Sequence, residues 1–487
     1  MKIKIFAIVL LVSLAGCKKS FLEIPSKTAL STTVYFKSES DFQQAINGAY
    51  APLRGAYNGS SGAWAMGELR SDNTTYVYNP NDRGNVQGEY VCDFLDDNTS
   101  GTTPNKYYSD YQLIARVNQI LALIDGVPFD ASDKNNIKGQ AYFLRAFCYF
   151  DLVQYFGSVP LHLKPVSTLA ETALPLSSAD VIYKQIIADA QQANTLLPGK
   201  ATQEPGRVTS GSAKTLLGNV YIVLKQWADA ETILKTITGY SLLPNYADIY
   251  NVSNKNNAES IFEIQYKEGT EGFASSFFYT FLVEPVTAGE VTAVTGIPEN
   301  GHTGEGYNIP TPDIIGAYEP NDTRKNASIA YITASGVSYP FINKYNHPHA
   351  LSGNTNDNWP VYRYAEVLLF LAEALNEENK PSEAIPYLNQ VRARAGLPAT
   401  AAASQTDVRN AIIKERRVEL AFENKRWLDL VHFGLADQVM KAYGAKVKAN
   451  PQAYYFPVGF SPAPTAYTNI RILFPIPASE VALNPYF

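Results

Sequence analysis

The sequence predicts an all-α fold, a tetratricopeptide-like scaffold of helical hairpins interrupted by a long loop-rich insertion that contains small strands. One repeat signal is Gly218, with Ala230 twelve residues further on and Leu234 four residues beyond that. The same spacing recurs in Ala372, Ala384 and Leu388. A small residue on one helix lets a second helix approach closely, so the spacing is typical of helical hairpins. One match could arise by chance between alanine-bearing helices, whereas two matches in the same register favour the repeats.

Amphipathic spacing predicts helices on both sides of these repeats. A first helix begins at Ser40 and Asp41, which can cap it, and ends at Gly55. Further helices are predicted at 107–124, 136–156, 178–198 and 407–443. The segment 136–156 is apolar over a very wide face, so we expect it to be buried on several sides.

Two stretches, 56–106 and 240–360, lack helical periodicity. The first is rich in Gly, Asn, Asp, Thr and Tyr, which predicts a long loop region, and long loops in a compact body are usually functional. The second contains the β-like run SIFEIQY and predicts irregular structure with small strands. The tail ILFPIPASEVALNPYF is too apolar to be free, which predicts that it docks on the body.

The N-terminus predicts an exported, lipid-anchored protein. Lys2 and Lys4 precede a short apolar run, as in a signal peptide, and small residues lead into Cys17, as in a lipobox. We therefore expect residues 1–16 to be removed, Cys17 to be acylated and 17–487 to form a single body. The alternative is an ordinary secretory signal with a chance cysteine. No later window approaches the ~18 consecutive apolar residues of a membrane-spanning helix.

The composition argues against nucleic-acid binding and against a cysteine-based metal site. The formal net charge is −6, so a basic footprint for nucleic acid is absent. Beyond Cys17 the only cysteines are Cys92 and Cys148. They could pair in an oxidising compartment, although Cys148 lies in a helical pattern where cysteine is more often a small buried residue. Two cysteines form neither a disulfide framework nor a zinc motif.

The run ERRVELAFENKRWLDL, residues 415–430, holds eight charged side chains among sixteen residues, in a chain that is 18% charged. Glu415, Glu419 and Glu423 recur every four residues, so a helix would align them, as a two-carboxylate glycosidase requires. Basic residues are interleaved with them, and basic neighbours lower carboxylate pKa values, whereas a general acid needs a raised pKa. The run therefore predicts a structural clamp of ion pairs, and the protein is predicted not to be an enzyme.

Metal-binding patterns in the sequence are weak. His347 and His349 lie two residues apart, but no third ligand stands near them. The run 354–358, NTNDN, could offer oxygens to calcium, but it lacks a twelve-residue loop with a closing glutamate. We therefore predict no bound metal and no cofactor.

Several stretches together resemble the SusD/RagB family of nutrient-uptake outer-membrane lipoproteins, over the whole chain. They are the lipobox with FLEIPSKTALSTTVYFKSESDFQQAINGAY, the helix AYFLRAFCYFDLVQYFGSVPL, and the C-terminal segments VYRYAEVLLFLAEALNE, ERRVELAFENKRWLDL and LFPIPASEVALNP. The resemblance implies a helical body of four tetratricopeptide-like units with a loop-rich ligand-binding half. It also implies a non-catalytic role at the cell surface, in polysaccharide utilisation. There the protein would capture oligosaccharides and deliver them to a SusC-like TonB-dependent transporter. Lys18 and Lys19 follow Cys17, where family members often carry acidic residues, so surface display rests on the whole-chain resemblance.

Three other functions remain open at this point. The same capture role could serve peptides or other nutrients that are not sugars. A lipid-anchored glycoside hydrolase is less favoured. A purely structural scaffold, whose helical repeats hold other proteins, would bind no small ligand.

The ligand site is predicted in the two regions that lack motifs. Sugar C–H faces stack on aromatic rings, while polar side chains bind the hydroxyl groups. The preferred ligand-binding set is Trp64, Tyr76, Tyr78, Arg83, Phe94, Tyr279 and Trp359. For each of them, packing in the core or in a loop is an equally good interpretation, and Trp359 could simply anchor the helix that follows it.

Overall fold

The structure is a computed structural model that describes residues 35–59, 62–81, 83–85, 88–299, 301 and 304–487. The predicted signal peptide and Cys17 lie outside these residues. Within them, no helix is both long and apolar enough to cross a membrane.

Helices dominate the described ranges, and the strands are short. The α-helices are α1 (Glu39–Tyr57), α2 (Gly88–Asp93), α3 (Pro104–Leu123), α4 (Ala131–Phe156), α5 (Ala179–Leu196), α6 (Ser210–Val223), α7 (Trp227–Leu234), α8 (Phe277–Thr280), α9 (Ala288–Thr295), α10 (Pro312–Ile315), α11 (Arg324–Ser328), α12 (Tyr364–Glu377), α13 (Pro381–Arg394), α14 (Gln405–Glu419), α15 (Arg426–His432), α16 (Ala436–Ala449) and α17 (Ala478–Leu483). The strands are β1 (Thr74–Thr75), β2 (Val159–Pro160), β3 (Leu176–Ser177), β4 (Ser260–Ile264), β5 (Ile309–Pro310), β6 (Ile329–Ala334), β7 (Val337–Ile342) and β8 (Trp359–Arg363).

Nine of these helices form one continuous array in which each helix packs on the next. The order is α1, α3, α4, α5, α6, α7, α12, α13 and α14. The predicted all-α scaffold of helical hairpins is therefore confirmed. A Cβ atom at Gly218 would lie 2.3 Å from Leu234 Cδ2, so the glycine permits the close approach of α6 and α7 that the sequence predicted. Ala372, Ala384 and Leu388 are likewise fully buried, between α12 and α13.

Two predicted helix starts were wrong because capping residues outside the apolar pattern decide them. Ser38, not Ser40, caps α1 through a capping box with Asp41, and the helix continues to Tyr57. Asp130 caps α4, which therefore begins five residues before the predicted start. The helical block predicted at 407–443 consists of three helices, with Phe422 and Asn424 in the left-handed region between α14 and α15.

Part of the predicted loop region 56–106 crosses the interior of the molecule, while residues 80–81 and 97–99 are exposed. The residues 63–76 are buried without interruption, and they include a π-helical turn at Ala65–Leu69. β1 pairs antiparallel with β5, which brings this crossing beside the second irregular region. Burial of so long a run explains its small and aromatic residues better than surface mobility does.

The second irregular region contains small strands, as predicted. SIFEIQY forms β4, which pairs antiparallel with β8, and β8 leads directly into α12. β6 and β7 form a hairpin. The C-terminal tail docks on the body, as predicted, because the Phe474 backbone N–H donates to Tyr155 O at 2.8 Å and the Phe474 ring is buried.

Candidate functional site

The charged run at 415–430 lies in the interior, where its carboxylates meet arginines from distant segments. Glu419 accepts hydrogen bonds from Arg324, Arg363 and Arg394, and its side chain is fully buried. Glu423 accepts from Arg363 Nε at 2.8 Å and from Lys344 Nζ at 2.7 Å. We call the set Glu259, Arg324, Lys344, Arg363, Arg394, Glu415, Glu419 and Glu423 the charge cluster.

The electrostatics of the charge cluster differ from one carboxylate to the next. Burial works to raise the pKa of Glu419, but the surrounding guanidinium groups hold it well below its usual value. Burial is likewise outweighed at Glu423, where Arg363 and Lys344 lower the pKa to about 2. At Glu415, burial prevails over Arg324 and Arg392 and raises the pKa, so the expectation that basic neighbours lower all three was wrong for this residue.

The charge cluster ties the last helices of the array to the irregular half of the molecule. Glu415 and Glu419 lie on α14, Arg394 on α13, and Arg363 at the end of β8. Arg324 and Lys344 come from the insertion. The side chains of all the members are at most 3% exposed, so no substrate can reach the carboxylates in this arrangement, and the predicted clamp is confirmed.

Four of the predicted ligand-binding rings are enclosed by other rings. Trp64 packs edge-on against Phe281, and Trp359 stacks on Tyr345 at 5.3 Å. Phe94 lies against Trp427, and its ring also faces the Arg70 guanidinium. Tyr76 donates to Asp93 Oδ2 at 3.1 Å and packs on Phe456. All four residues are at most 5% exposed: Trp64, Tyr76, Phe94 and Trp359. Their rings therefore offer no free face to a sugar in this conformation.

Tyr279 lies in a separate hydrogen-bonded group near the predicted histidine pair. Its hydroxyl oxygen is 2.7 Å from His349 Nε2 and donates to Glu299 Oε1 at 2.9 Å. His347 Nδ1 is 2.5 Å from Asp357 Oδ1, so the two histidines have different partners. Among the described residues no group of three or more potential ligands is arranged to hold a metal ion.

Tyr78 and Arg83 lie beside an exposed ring, although Tyr78 itself is only 9% exposed. The Tyr78 ring is 4.6 Å from the ring of Phe460, which is 45% exposed. The Arg83 guanidinium lies 4.1 Å over the Tyr78 ring. Arg83 is fixed there by donating from Nε and Nη2 to the two oxygens of Glu89. Phe456 packs on Tyr78 from beneath.

The β6–β7 hairpin extends this surface through the residue beside Phe456. Tyr455 lies 5.9 Å from Tyr339 on β7 and donates to Pro310 O at 2.7 Å. Tyr331 on β6 is 55% exposed. Burial raises the pKa of Tyr455, and the nearby Tyr331 and Tyr339 hydroxyls add to the rise. We call Tyr78, Tyr331, Tyr339, Tyr455 and Phe460 the aromatic strip.

Four of the strip's five rings lie outside the predicted ligand-binding set. Tyr331 and Tyr339 fall in the predicted insertion, and Tyr455 and Phe460 lie beyond both predicted loop regions. A usable signal was the run AYYFPVGF at 453–460, where aromatic residues stand beside Gly and Pro directly after α16. Tyr455 adopts φ +69°, an uncommon conformation for a bulky residue, and this turns the segment toward the hairpin.

The helical array, the buried charge cluster and the aromatic strip together define a helical-repeat scaffold with a loop-rich face. Two family models match the chain: "SusD family" over residues 318–486 and "Starch-binding associating with outer membrane" over residues 20–222. The chain belongs to the SusD/RagB family.

Individual relatives span nearly the whole chain. It is 29% identical to SusD-like protein P2 of Formosa agariphila, over 99% of this chain and 98% of that protein. A solved laminarin-binding SusD-like protein is 26% identical, covers 92% of this chain and 98% of its own, and gives a TM-score of 0.75. A SusD superfamily protein from Bacteroides vulgatus is also 26% identical, at 93% and 98% coverage and the same TM-score.

Proposed function

We propose that this protein is a non-catalytic lipoprotein of the outer-membrane surface, anchored through Cys17. In this role it captures oligosaccharides and delivers them to a SusC-like TonB-dependent transporter. The observation that carries the proposal is the aromatic strip, in which Phe460 and Tyr331 are about half exposed, Tyr339 and Tyr455 are partly exposed and Tyr78 is 9% exposed. Family membership and the laminarin-binding relative support the choice of a saccharide.

The chemistry of the strip suits reversible capture. Phe460 and Tyr331 offer ring faces near its two ends, each about half exposed, for the C–H faces of a sugar. Arg83 supplies donors, and its ion pair with Glu89 leaves that end of the strip close to neutral. A shallow surface of this kind gives modest affinity, because few groups of the ligand are removed from water, and modest affinity favours hand-over.

Calorimetry of the full-length chain in mild detergent against a glycan panel that includes laminarin tests the saccharide part. We expect Phe460→Ala and Tyr331→Ala each to weaken binding about tenfold, since each removes a stacking platform. Phe273→Ala is the matched control, because Phe273 is also exposed, at 43%, but lies outside the strip. Binding of peptides alone would overturn the saccharide and support the peptide alternative.

Of the remaining predicted set, Tyr76 enters the proposal as support beneath the strip, whereas Trp64, Phe94 and Trp359 pack against other core rings and Tyr279 lies in its own hydrogen-bonded group. Tyr76 packs on Phe456, which itself underlies Tyr78, so truncating Tyr76 would act on ligand affinity through the position of the strip. In this proposal, Tyr78 and Arg83 contact the ligand directly.

The hydrolase alternative requires that carboxylates of this protein act as catalytic groups. Glu415, Glu419 and Glu423 are the carboxylates that the sequence offered for it, and cations bind all three. Incubation of the purified protein with the glycans it binds is expected to release no new reducing ends. Turnover that is abolished by Glu423→Gln would contradict the non-catalytic proposal.

An exposed apolar patch supports a protein partner. Leu169, at 87% exposure, and Leu176 lie on the loop after α4, while Leu483, at 79%, lies on α17. Asn484 Nδ2 donates to Leu174 O at 2.9 Å, which holds the two segments together. Clustered exposed leucines typically mark a protein interface. We propose that the SusC-like transporter covers this patch.

Co-purification of the transporter from outer membranes tests the partner. Leu169→Glu and Leu483→Glu are expected to reduce the recovered transporter severalfold while leaving glycan affinity unchanged. Val337→Glu, an exposed apolar residue on the β6–β7 hairpin, is the control for the added charge. Full recovery of the transporter with both leucine variants would rule out this patch as the interface.

A further inference from the structure

An open groove lies beside the charged run, on the opposite side of α14 from its buried carboxylates. The segment 316–320 forms one wall, and the outer face of α14 with the start of α15 forms the other. Its volume is about 510 Å³, within the range of sites that hold small organic ligands. The charged residues that line it are Glu319, Lys414, Arg417 and Arg426.

Two arginines at the floor of this groove share a single carboxylate. Arg426 donates from Nε to Asp72 Oδ1 at 2.8 Å and from Nη2 to Oδ2 at 3.2 Å. Arg417 Nη2 lies 2.8 Å from the same Oδ2, and Arg417 Nε donates to Asn73 Oδ1 at 2.8 Å. The two guanidinium groups hold the pKa of Asp72 below its usual value, although burial works to raise it.

The arrangement leaves both donors and charge unused. Neither Arg417 Nη1 nor Arg426 Nη1 has a hydrogen-bond acceptor in the part of the chain that the structure describes. Neither Nη1 atom is among the buried side-chain atoms that lack a partner, so both reach the solvent of the groove, where an anion can replace water as their partner.

The nearby charges do not supply that partner. Glu319 accepts from Lys414 and from Arg392. Asp313, the next carboxylate, is bound by Lys446 and by the Tyr454 hydroxyl. The lining residues and Asp72 together therefore carry one positive charge in excess: Lys414, Arg417 and Arg426 against Asp72 and Glu319.

We infer that this groove binds the carboxylate or sulfate group of a small acidic ligand, held between the free amino groups of Arg417 and Arg426. Planar guanidinium groups match such oxyanions through paired, charge-assisted hydrogen bonds. The remaining volume accommodates a body of about one or two sugar rings, so the oxyanion can be carried by an acidic saccharide or be a free inorganic ion. The inference does not depend on ligand binding at the aromatic strip.

Titration calorimetry of the full-length chain in mild detergent, at fixed ionic strength, tests the groove with three probes: sodium glucuronate, sodium sulfate and glucose. We expect binding of glucuronate or sulfate and none of glucose. Glucuronate as the tighter probe would indicate an acidic saccharide, and sulfate alone would indicate an inorganic ion. Both results support the oxyanion site.

Variants separate this site from general charge effects. Arg417→Gln removes one donor pair and is expected to weaken anion binding at least about tenfold, and Arg417→Lys, which keeps the charge but not the planar fork, should weaken it less. Lys414→Gln should weaken it about threefold through charge alone, without touching the Asp72 contacts. Lys441→Gln removes an exposed charge on α16 and should leave binding unchanged.

Three results would overturn the inference. One is the failure of the wild-type chain to bind either anion. Another is equal weakening by Lys441→Gln and Arg417→Gln, which would mean non-specific attraction. The third is unchanged anion binding in a folded Arg417→Gln variant, with Lys414→Gln giving the same result. Phe460→Ala should leave anion binding intact, so a failure of the strip proposal and a failure of this one can be told apart.

Discussion

The charge cluster and the aromatic strip differ in burial, in charge and in how readily the sequence predicts them. The cluster is buried and strongly charged, and a dense motif supplies three of its carboxylates, whereas the strip is uncharged, carries two rings that are about half exposed and has no motif. In this chain the residues of the charged motif stabilise the scaffold, whereas the exposed rings of the strip belong to no motif. A motif that identifies a family is therefore a poor guide to where its members bind ligands.

Two adjacent carboxylates show why burial alone does not define a functional acid. Glu423 and Glu68 are both about completely buried, and the residue before Glu423, Phe422, donates its backbone N–H to Glu68. Arg363 and Lys344 lower the pKa of Glu423 to about 2, against the effect of burial. Glu68 has amide partners only, and burial raises its pKa to about 7. The groups that bind each carboxylate decide whether its pKa is raised or lowered, and the sequence did not predict those groups.

The largest effect is expected from Glu419→Gln, which leaves the charge of three arginines without their shared carboxylate. Removing one partner of a buried ion pair costs about 3–5 kcal/mol, so the free energy of unfolding should fall by that amount in urea titrations. Glycan affinity of the folded variant should not change, because the cluster does not reach the strip.

Glu383→Gln is the matched control, since Glu383 is exposed on α13 and the same substitution there should change stability by less than about 0.5 kcal/mol. An unchanged free energy of unfolding in Glu419→Gln would mean that the charge cluster does not stabilise the fold. An altered ligand preference would mean that the charge cluster is part of the ligand site.

The pH dependence of stability should reflect both kinds of buried acid. The folded-state pKa of Glu423 lies below its unfolded value of about 4.5, so its contribution is present above that pH and is lost as the pH falls toward 2. The folded-state pKa values of Glu68 and Asp93 are raised by burial to about 7, so the stability they contribute is present in acid and is lost as the pH rises from about 4 to 7.

Urea unfolding from pH 3 to pH 8 should therefore pass through a maximum between about pH 4 and 5 and decline on either side of it. Glu68→Gln should flatten the decline above the maximum, because its amide oxygen can still accept from Asn73 and Phe422. A decline that persists unchanged in this variant would exclude Glu68 as its source.

The sequence predicted the helical array well because its signals are local. Gly218 and Ala230 carry their spacing in one short segment, and helix packing then follows from it. The aromatic strip could not be predicted in the same way, because Tyr78 meets Phe460, and Tyr339 meets Tyr455, only through packing between segments that are far apart in the sequence. Trp64 and Trp359 looked equally suitable as platforms, and only long-range packing decides which rings are enclosed.

Substitution of Gly218 tests the array at its closest helix approach. Gly218→Ala would place a Cβ atom 2.3 Å from Leu234 Cδ2, so the leucine must move and the free energy of unfolding should fall by about 1–2 kcal/mol. Gly48→Ala on α1 is the control, because no heavy atom lies within 4 Å of the added carbon and alanine is the better helix former. That variant should be more stable by up to about 1 kcal/mol, and a stabilised Gly218→Ala would contradict the tight hairpin.

The smallest effect on stability is expected at the strip itself. Phe460 is half exposed on a segment between α16 and the tail, so Phe460→Ala should change the free energy of unfolding by less than about 0.5 kcal/mol while weakening glycan binding. Trp359→Ala removes an enclosed ring and should cost about 3–5 kcal/mol through the cavity it leaves. Thermal and urea unfolding of the two variants, measured beside their affinities, separate a ring that binds from a ring that supports. If Phe460→Ala instead destabilised the fold as much as Trp359→Ala and left affinity intact, the strip would be another part of the core, and the ligand site would have to be sought elsewhere on the loop-rich face.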